Sequence, residues 1–137
     1  MNRIGDKINE LETYLEELES ILPENLEEYK RSIEKRAACE RYLEKIVEAL
    51  IELGFLIAKR ERFPLPEGNL IFELLLEKEI IQKELFIKMK NAKGMRNIIA
   101  HKYGEVDDEM VFESITQELI SDADSFLEIL KKYLEKN

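Results

Sequence analysis

Residues 95–104 read Met95-Arg96-Asn97-Ile98-Ile99-Ala100-His101-Lys102-Tyr103-Gly104, and they contain the only histidine of the chain. On a helix that turns about 100° per residue, Asn97 lies about 100° from Arg96, His101 about 140° and Tyr103 about 340°. These polar side chains share one broad arc, and that arc continues an apolar stripe from earlier in the same helix. The stripe consists of Leu85, Met89 and Ala92. The pattern predicts a helix whose polar groups face a cleft or an interface and not bulk solvent.

The rest of the chain is patterned for helices on both sides of this stretch. Apolar residues recur at steps of three and four, which is the spacing of an amphipathic helix. Pro23, Pro64 and Pro66 interrupt the pattern. We predict helices over residues 2–22, 24–60, 70–78, 80–103 and 107–134, the last of them capped by Asp107 and Asp108. This order predicts an all-α fold, an antiparallel four-helix bundle with a short additional helix, in a single domain over residues 1–137.

Four positions in these helices carry further expectations. Asn69 is a suitable N-cap for the short helix, and Gly104 is a suitable C-cap for the helix that contains the histidine. Gly94 marks a kink just before the motif. Residues 49–58 are apolar nearly all round, and Gly54 among them permits the close approach of another backbone. We expect this segment to be buried on more than one side, by the bundle or by a second subunit.

Composition and charge exclude several classes of protein. Hydrophobic residues make up 45% of the 137 residues, which excludes a disordered chain, and no apolar run is long enough to cross a bilayer. With Cys39 as the only cysteine and no secretory signal, we expect a cytoplasmic protein. The net charge of −9 argues against a general nucleic-acid-binding surface. Residues 83–102 nevertheless hold six lysines and arginines against one acid, which fits either a solvated lysine face or an RNA-facing patch.

The residue types leave little room for metal or cofactor chemistry, and we expect neither group. A helical di-iron site requires Glu-x-x-His pairs, and Ile98 occupies the position three residues before the histidine. Zinc requires several Cys or His ligands, and the chain has one of each. Histidine moves a proton near neutral pH and arginine stabilises phosphate oxygens, so His101 and Arg96 suit metal-independent cleavage of RNA. The alternative is a histidine that caps a helix and an arginine that pairs with a buried acid.

The run Arg96-Asn97-Ile98-Ile99-Ala100-His101-Lys102-Tyr103 resembles the Arg-x4-His-x-Tyr motif of the HEPN superfamily, and specifically of its HepT-like toxins. The surrounding sequence is similar as well. Residues 34–49 resemble the long second helix of that family, and residues 63–76 resemble its linker and short helix. The resemblance covers nearly the whole chain. It implies an α-helical homodimer in which two motifs face each other across a cleft.

The resemblance also implies a function, namely the toxin of a toxin–antitoxin pair. Such a toxin is a metal-independent endoribonuclease, and a MntA-like nucleotidyltransferase antitoxin silences it by adding AMP to the motif tyrosine. On this chain Arg96 would stabilise the phosphate, and His101 would act as general acid or base. Asn97 would orient one of these two residues, and Tyr103 would accept the AMP. Two other interpretations stay open: a non-catalytic subunit that binds a nucleotide or partner for a minimal nucleotidyltransferase, and a purely structural dimerisation bundle.

Overall fold

All the regular secondary structure in the residues that the structure describes is helical. The computed structural model describes residues 2–67, 70–101 and 106–136. Helix α1 (Arg3–Ile21) begins where the side chain of Asn2 accepts a hydrogen bond from the backbone N–H of Gly5. It ends two residues before Pro23. The predicted first helix is confirmed to within one residue at each end.

The second predicted helix, over residues 24–60, is wrong in one respect, because the structure divides it. Helix α2 (Leu26–Arg31) is short and helix α3 (Ile33–Arg60) is long. Ser32 lies between them with φ −111° and ψ 110°, and its hydroxyl accepts a hydrogen bond from the backbone N–H of Lys35. A serine in this conformation caps the start of a new helix. The apolar spacing continues across the break, which is why it did not reveal the division.

Helix α3 and helix α4 (Ile71–Glu77) both end without glycine. Arg62 and Glu79 adopt positive φ values of 60° and 59°. After α4, the N–H of Glu79 bonds to the carbonyl of Leu76, and the N–H of the buried Ile80 bonds to the carbonyl of Leu75. This is the Schellman ending, which normally uses glycine. It delays the start of the next helix from the predicted residue 80 to residue 83.

Helix α5 (Lys83–His101) carries most of the motif. It continues through Gly94 in α-helical conformation, so the predicted kink is not marked by a break in the helix. The predicted caps Asn69 and Gly104 lie outside the described residues, and so does Tyr103. The positions of Arg96, Asn97 and His101 on α5 are therefore the part of the motif that the structure describes.

The last predicted helix, over residues 107–134, contains an irregular turn. The side chain of Asp107 caps helix α6 (Asp108–Glu113), whereas Asp108 is the first residue of that helix and not its cap. A π-helical turn at Ser114–Glu118 follows, and helix α7 (Leu119–Lys136) completes the stretch. The N–H of Leu119 bonds to the carbonyl of Ser114, one residue further back than in an α-helix.

The long helices α1, α3, α5 and α6–α7 form an antiparallel bundle around one core, with two short helices, α2 and α4, where we had expected one. Helix α1 packs along α3, and α5 packs against α3, α4 and α7. A Cβ atom on Gly54 of α3 would lie only 2.8 Å from Cγ1 of Ile71 in α4. The close approach expected at Gly54 therefore takes place within the chain, against the side chain of Ile71 in α4. Within the described ranges, no helix has the length and apolar character that a membrane crossing requires.

Candidate active site

Arg96 lies on the face of α5 that packs into the core. The buried residues of α5 are Leu85, Met89, Ala92 and Ile99. With Arg96 as the origin, all of them fall within about 60° of its direction at 100° per residue. The side chain of Arg96 is only 22% exposed. The prediction that Arg96 continues an apolar stripe is confirmed.

Two side chains hold the guanidinium of Arg96. Its Nη2 donates to Oε1 of Glu48 at 3.0 Å, and its Nη1 donates to Oδ1 of Asn97 at 3.2 Å. Its Nε is buried and has no hydrogen-bond partner among the residues that the structure describes. Nη1 and Nη2 carry two N–H donors each, so among the described residues these two bonds leave one donor on each nitrogen for a further acceptor.

Glu48 is a residue of the site that the sequence patterns did not single out. It lies in α3 between the buried Val47 and Ala49, and its side chain is 39% exposed. An acid inside an otherwise apolar segment is the signal that could have pointed to it, because a carboxylate placed there needs a partner. The alternative interpretation of Arg96, as an arginine that pairs with a buried acid, predicted this contact, although Glu48 is only partly buried.

His101 is the last residue of α5, and it is exposed in the single chain. The expectation that it faces an interface stays a prediction, and in the single chain it does not share a cleft with Arg96. The reason is the five-residue spacing, which places His101 about 140° from the direction in which Arg96 enters the core. The structure brings Asn97 against Arg96 but places His101 on another face of the helix.

The exposed side of α5 is basic in an acidic protein. Lys83 and Lys90 are exposed, and at 100° per residue they share a stripe with Asn97 and His101. The ammonium group of Lys90 lies 5.8 Å from the ring centroid of Phe86, a side chain of the same helix. This stripe presents positive charge to solvent along the line that ends at the histidine.

A groove of about 830 Å³ separates α5 from the π-helical turn and α7. Met95 and Ile98 contribute to its wall, whereas Arg96 and His101 do not belong to the lining described. Burial raises the pKa of the Asp122 carboxyl in this groove, while the nearby ammonium of Lys88 acts in the opposite direction. The groove is thus a feature separate from the contacts around Arg96.

Sequence comparisons relate the chain to known ribonucleases. The family model described as "Ribonuclease HepT-like" matches residues 11–135. A "Putative RNase" of Archaeoglobus fulgidus is 30% identical over 128 residues, which cover 91% of this chain and 96% of that protein. The tRNA nuclease HepT of Aphanizomenon flos-aquae is 28% identical over 106 residues, which cover 75% of this chain and 71% of that protein.

A comparison of folds gives a consistent result. The chain is similar to the tri-AMPylated HEPN toxin of Shewanella oneidensis, solved in complex with the MNT antitoxin, with a TM-score of 0.88. The match covers 96% of this chain and 99% of that one, at 22% sequence identity. At this identity the likeness shows the fold. The predicted all-helical architecture is confirmed.

Proposed function

Because this chain belongs to the HepT-like ribonuclease family, we propose that it is a metal-independent endoribonuclease and the toxin of a toxin–antitoxin pair. One observation carries the proposal: Arg96 is held in place by Glu48 and Asn97 and still has N–H donors that can bind a phosphate. We take residues 1–137 to act as one domain, since the buried residues of α1 to α7 form one continuous core.

The proposed reaction is attack by the ribose 2′-hydroxyl on the adjacent phosphorus. His101 takes the hydroxyl proton or gives a proton to the leaving 5′-oxygen as the P–O5′ bond breaks. Arg96 stabilises the negative charge that develops on the phosphate oxygens. Asn97 keeps the guanidinium in position through its hydrogen bond to Nη1. None of these steps requires a metal ion.

We propose that the active protein is a homodimer. In one chain, Arg96 and His101 lie on different faces of α5, so a second copy is a direct way to supply the missing half of the site. The outward face of α5 is suited to such a contact. Ile87 is 46% exposed, Gly94 is exposed with nothing within 4 Å of a Cβ built on it, and Ile98 is half-buried.

RNA would approach along the basic stripe of α5. The chain as a whole carries a net charge of −9, which repels a polyanion. Lys83 and Lys90 place exposed positive charge on the side of α5 that leads to His101. The proposed substrate path is therefore local, confined to this helix and its counterpart in a second copy.

We propose a nucleotidyltransferase antitoxin as the protein partner, and Tyr103 as the residue to which it adds AMP. The support comes from the tri-AMPylated HEPN toxin of similar fold, which was solved with an MNT antitoxin. Tyr103 occupies the tyrosine position of the motif, two residues after His101. We further propose that the protein acts in the cytoplasm, where its one cysteine stays reduced.

The test is cleavage of RNA by the purified protein in the presence of EDTA. The wild type should cut RNA, and His101→Ala and Arg96→Ala should each lower the rate by about 100-fold or more, since each removes a general acid–base or charge-stabilising group. Asn91→Ala changes an exposed polar residue of the same helix outside the motif and serves as the control. Circular dichroism should show that all variants are folded.

Two results would contradict the proposal. Wild-type cleavage that requires an added metal ion would remove the metal-independent mechanism. A folded wild type that binds nucleotide or the antitoxin but cuts no RNA would favour the non-catalytic subunit instead.

A further inference from the structure

We propose that Glu48 is a positioning residue for the reaction: its carboxylate anchors Arg96 so that the unused guanidinium donors are presented to the phosphate. This inference rests on the proposed function and adds a residue of another helix to the site. Glu48 lies in α3, 48 positions before Arg96 in the sequence. The two helices are packed together, so the anchor is fixed by the bundle and not by the motif alone.

The geometry of the contact favours anchoring over simple stabilisation. The salt bridge uses a single N···O contact of 3.0 Å, whereas the guanidinium can bind a carboxylate through two parallel bonds. The Nε atom remains buried without a partner in the described part of the chain. An unpaired buried donor lowers stability, so this arrangement is a poor way to join α3 and α5. The second N–H groups of Nη1 and Nη2, which Asn97 and Glu48 leave unused among the described residues, are the donors that can bind an anion that arrives later.

The surroundings of Glu48 make it a rigid anchor. Its neighbours Val47 and Ala49 are buried, as is Ile51 one turn further along α3. A side chain on such a helix can hold its partner within the small tolerance that catalysis requires, because a misplacement of about 1 Å can lower a rate by about 100-fold. The hydrogen bond that Asn97 Oδ1 accepts from Arg96 joins two adjacent residues of α5, so it cannot by itself fix Arg96 relative to α3.

The negative charge of Glu48 has the opposite effect on substrate binding. It lies next to the guanidinium that is to receive a phosphate, so it weakens the attraction of the site for RNA. Position and charge can be separated by substitution. Glu48→Gln keeps the length and an acceptor oxygen but removes the charge, whereas Glu48→Asp keeps the charge but shortens the side chain by one methylene.

The experiment measures kcat and KM for a short RNA with the wild type, Glu48→Gln, Glu48→Asp and Glu48→Ala. We expect Glu48→Gln to keep kcat within about threefold and to have a lower KM, because a neutral acceptor still holds Arg96. Glu48→Asp and Glu48→Ala should lower kcat by about 10- to 100-fold, the range seen when an outer residue that orients a functional group is lost. The KM of Glu48→Asp should change little.

Glu52 provides the matched control. It lies one turn further along α3 and forms a salt bridge with Lys7 of α1 at 2.6 Å. Glu52→Gln and Glu52→Ala remove an inter-helix salt bridge from the same helix without touching Arg96. They should leave kcat unchanged even where they lower the melting temperature.

The outcomes distinguish the two proposals. Loss of kcat in Glu48→Asp together with retention in Glu48→Gln supports the positioning role, and this pair decides the matter even if Glu48→Ala does not fold. A kcat equal to wild type in both Glu48→Asp and Glu48→Ala, with a wild type that cleaves RNA, overturns only the role of Glu48. Equal losses in the Glu48 and Glu52 variants would assign the effect to general stability and also overturn it. A wild type without RNA cleavage overturns the proposed function, and this inference with it.

Discussion

Arg96 shows how a single residue can serve both the core and the site. Its position on the buried stripe of α5 removes most of its side chain from water, and a guanidinium in such a place requires compensating contacts. Glu48 supplies charge and Asn97 supplies an acceptor, yet Nε stays unpaired in the described residues. Partial compensation of this kind is typical of functional residues, because a fully satisfied guanidinium would have little left for a substrate.

At the residue scale, Tyr103→Phe should separate cleavage from silencing. Removal of the hydroxyl takes away the atom to which AMP would be attached, but it leaves Arg96 and His101 in place. The variant should cleave RNA within about threefold of wild type. Intact-mass spectrometry after coexpression with the antitoxin should show added AMP on the wild type and none on the variant.

Tyr42→Phe is the control for this experiment. It makes the same chemical change on α3, where the hydroxyl donates to Oε1 of Glu17 at 3.2 Å, and it should still acquire AMP. AMP found on Tyr103→Phe would remove Tyr103 from its proposed role.

At the scale of the helices, the ends were harder to predict than the bodies. Arg62 and Glu79 end α3 and α4 in a left-handed conformation that usually signals glycine. A non-glycine residue accepts this conformation at a penalty of roughly 1 kcal/mol or more, which the buried apolar residue that follows can offset. The signal for such an ending is therefore the apolar residue after the turn, such as Ile80, and not the residue in the turn.

The contact between α3 and α4 predicts the effect of Gly54→Ala. The new Cβ would meet Cγ1 of Ile71 at 2.8 Å, and overpacking of this kind lowers stability by about 1–3 kcal/mol. The gain in helix propensity offsets about 1 kcal/mol of that loss. We expect a net loss in the free energy of unfolding of about 1 kcal/mol, measured by urea denaturation.

The same substitution in the Ile71→Ala background should have the opposite sign. With the side chain of Ile71 truncated, no clash remains and only the gain of about 1 kcal/mol in helix propensity is left. Equal losses from Gly54→Ala in both backgrounds would show that the contact with Ile71 is not what requires glycine.

On the scale of the whole molecule, the proposed site is split between two directions in a single chain of net charge −9. The side chain of Arg96 points toward the core, whereas His101 and the basic stripe with Lys83 and Lys90 face solvent. Arg96 and His101, the two residues of the proposed reaction, therefore point in different directions from the same helix. The proposed homodimer through the outward face of α5 would bring a second motif and a second basic stripe to the same region.

Ile87→Glu tests that assembly. Ile87 is 46% exposed, so a charge there has little effect on a single chain, but it would be buried in an interface built on α5. We expect dimerisation to weaken by about 30-fold or more and RNA cleavage to fall with it. Sedimentation velocity and the cleavage assay measure the two effects.

Ile33→Glu is the matched control, because Ile33 is 74% exposed in the first turn of α3 and lies outside the outward face of α5. It should remain dimeric and active. A dimeric and active Ile87→Glu would place the interface elsewhere.

The sequence by itself determined the helical fold, its four long helical stretches, and the burial of Arg96. These follow from periodicity, which depends only on the order of residues along one helix. The family also follows from the sequence, because the spacing of Arg96, His101 and Tyr103 lies within one short run. The break at Ser32 and the endings at Arg62 and Glu79 depend on local hydrogen bonds that apolar spacing does not record.

Only the tertiary structure identified Glu48 as the partner of Arg96 and Ile71 as the reason for Gly54. Each of these contacts joins two helices, so it depends on how the helices are rotated against each other and on their register. The exposure of His101 has the same origin. Its angle of about 140° to Arg96 can be read from the sequence, but how much of that side of α5 the rest of the chain covers is decided by the packing of α5 against α3, α4 and α7.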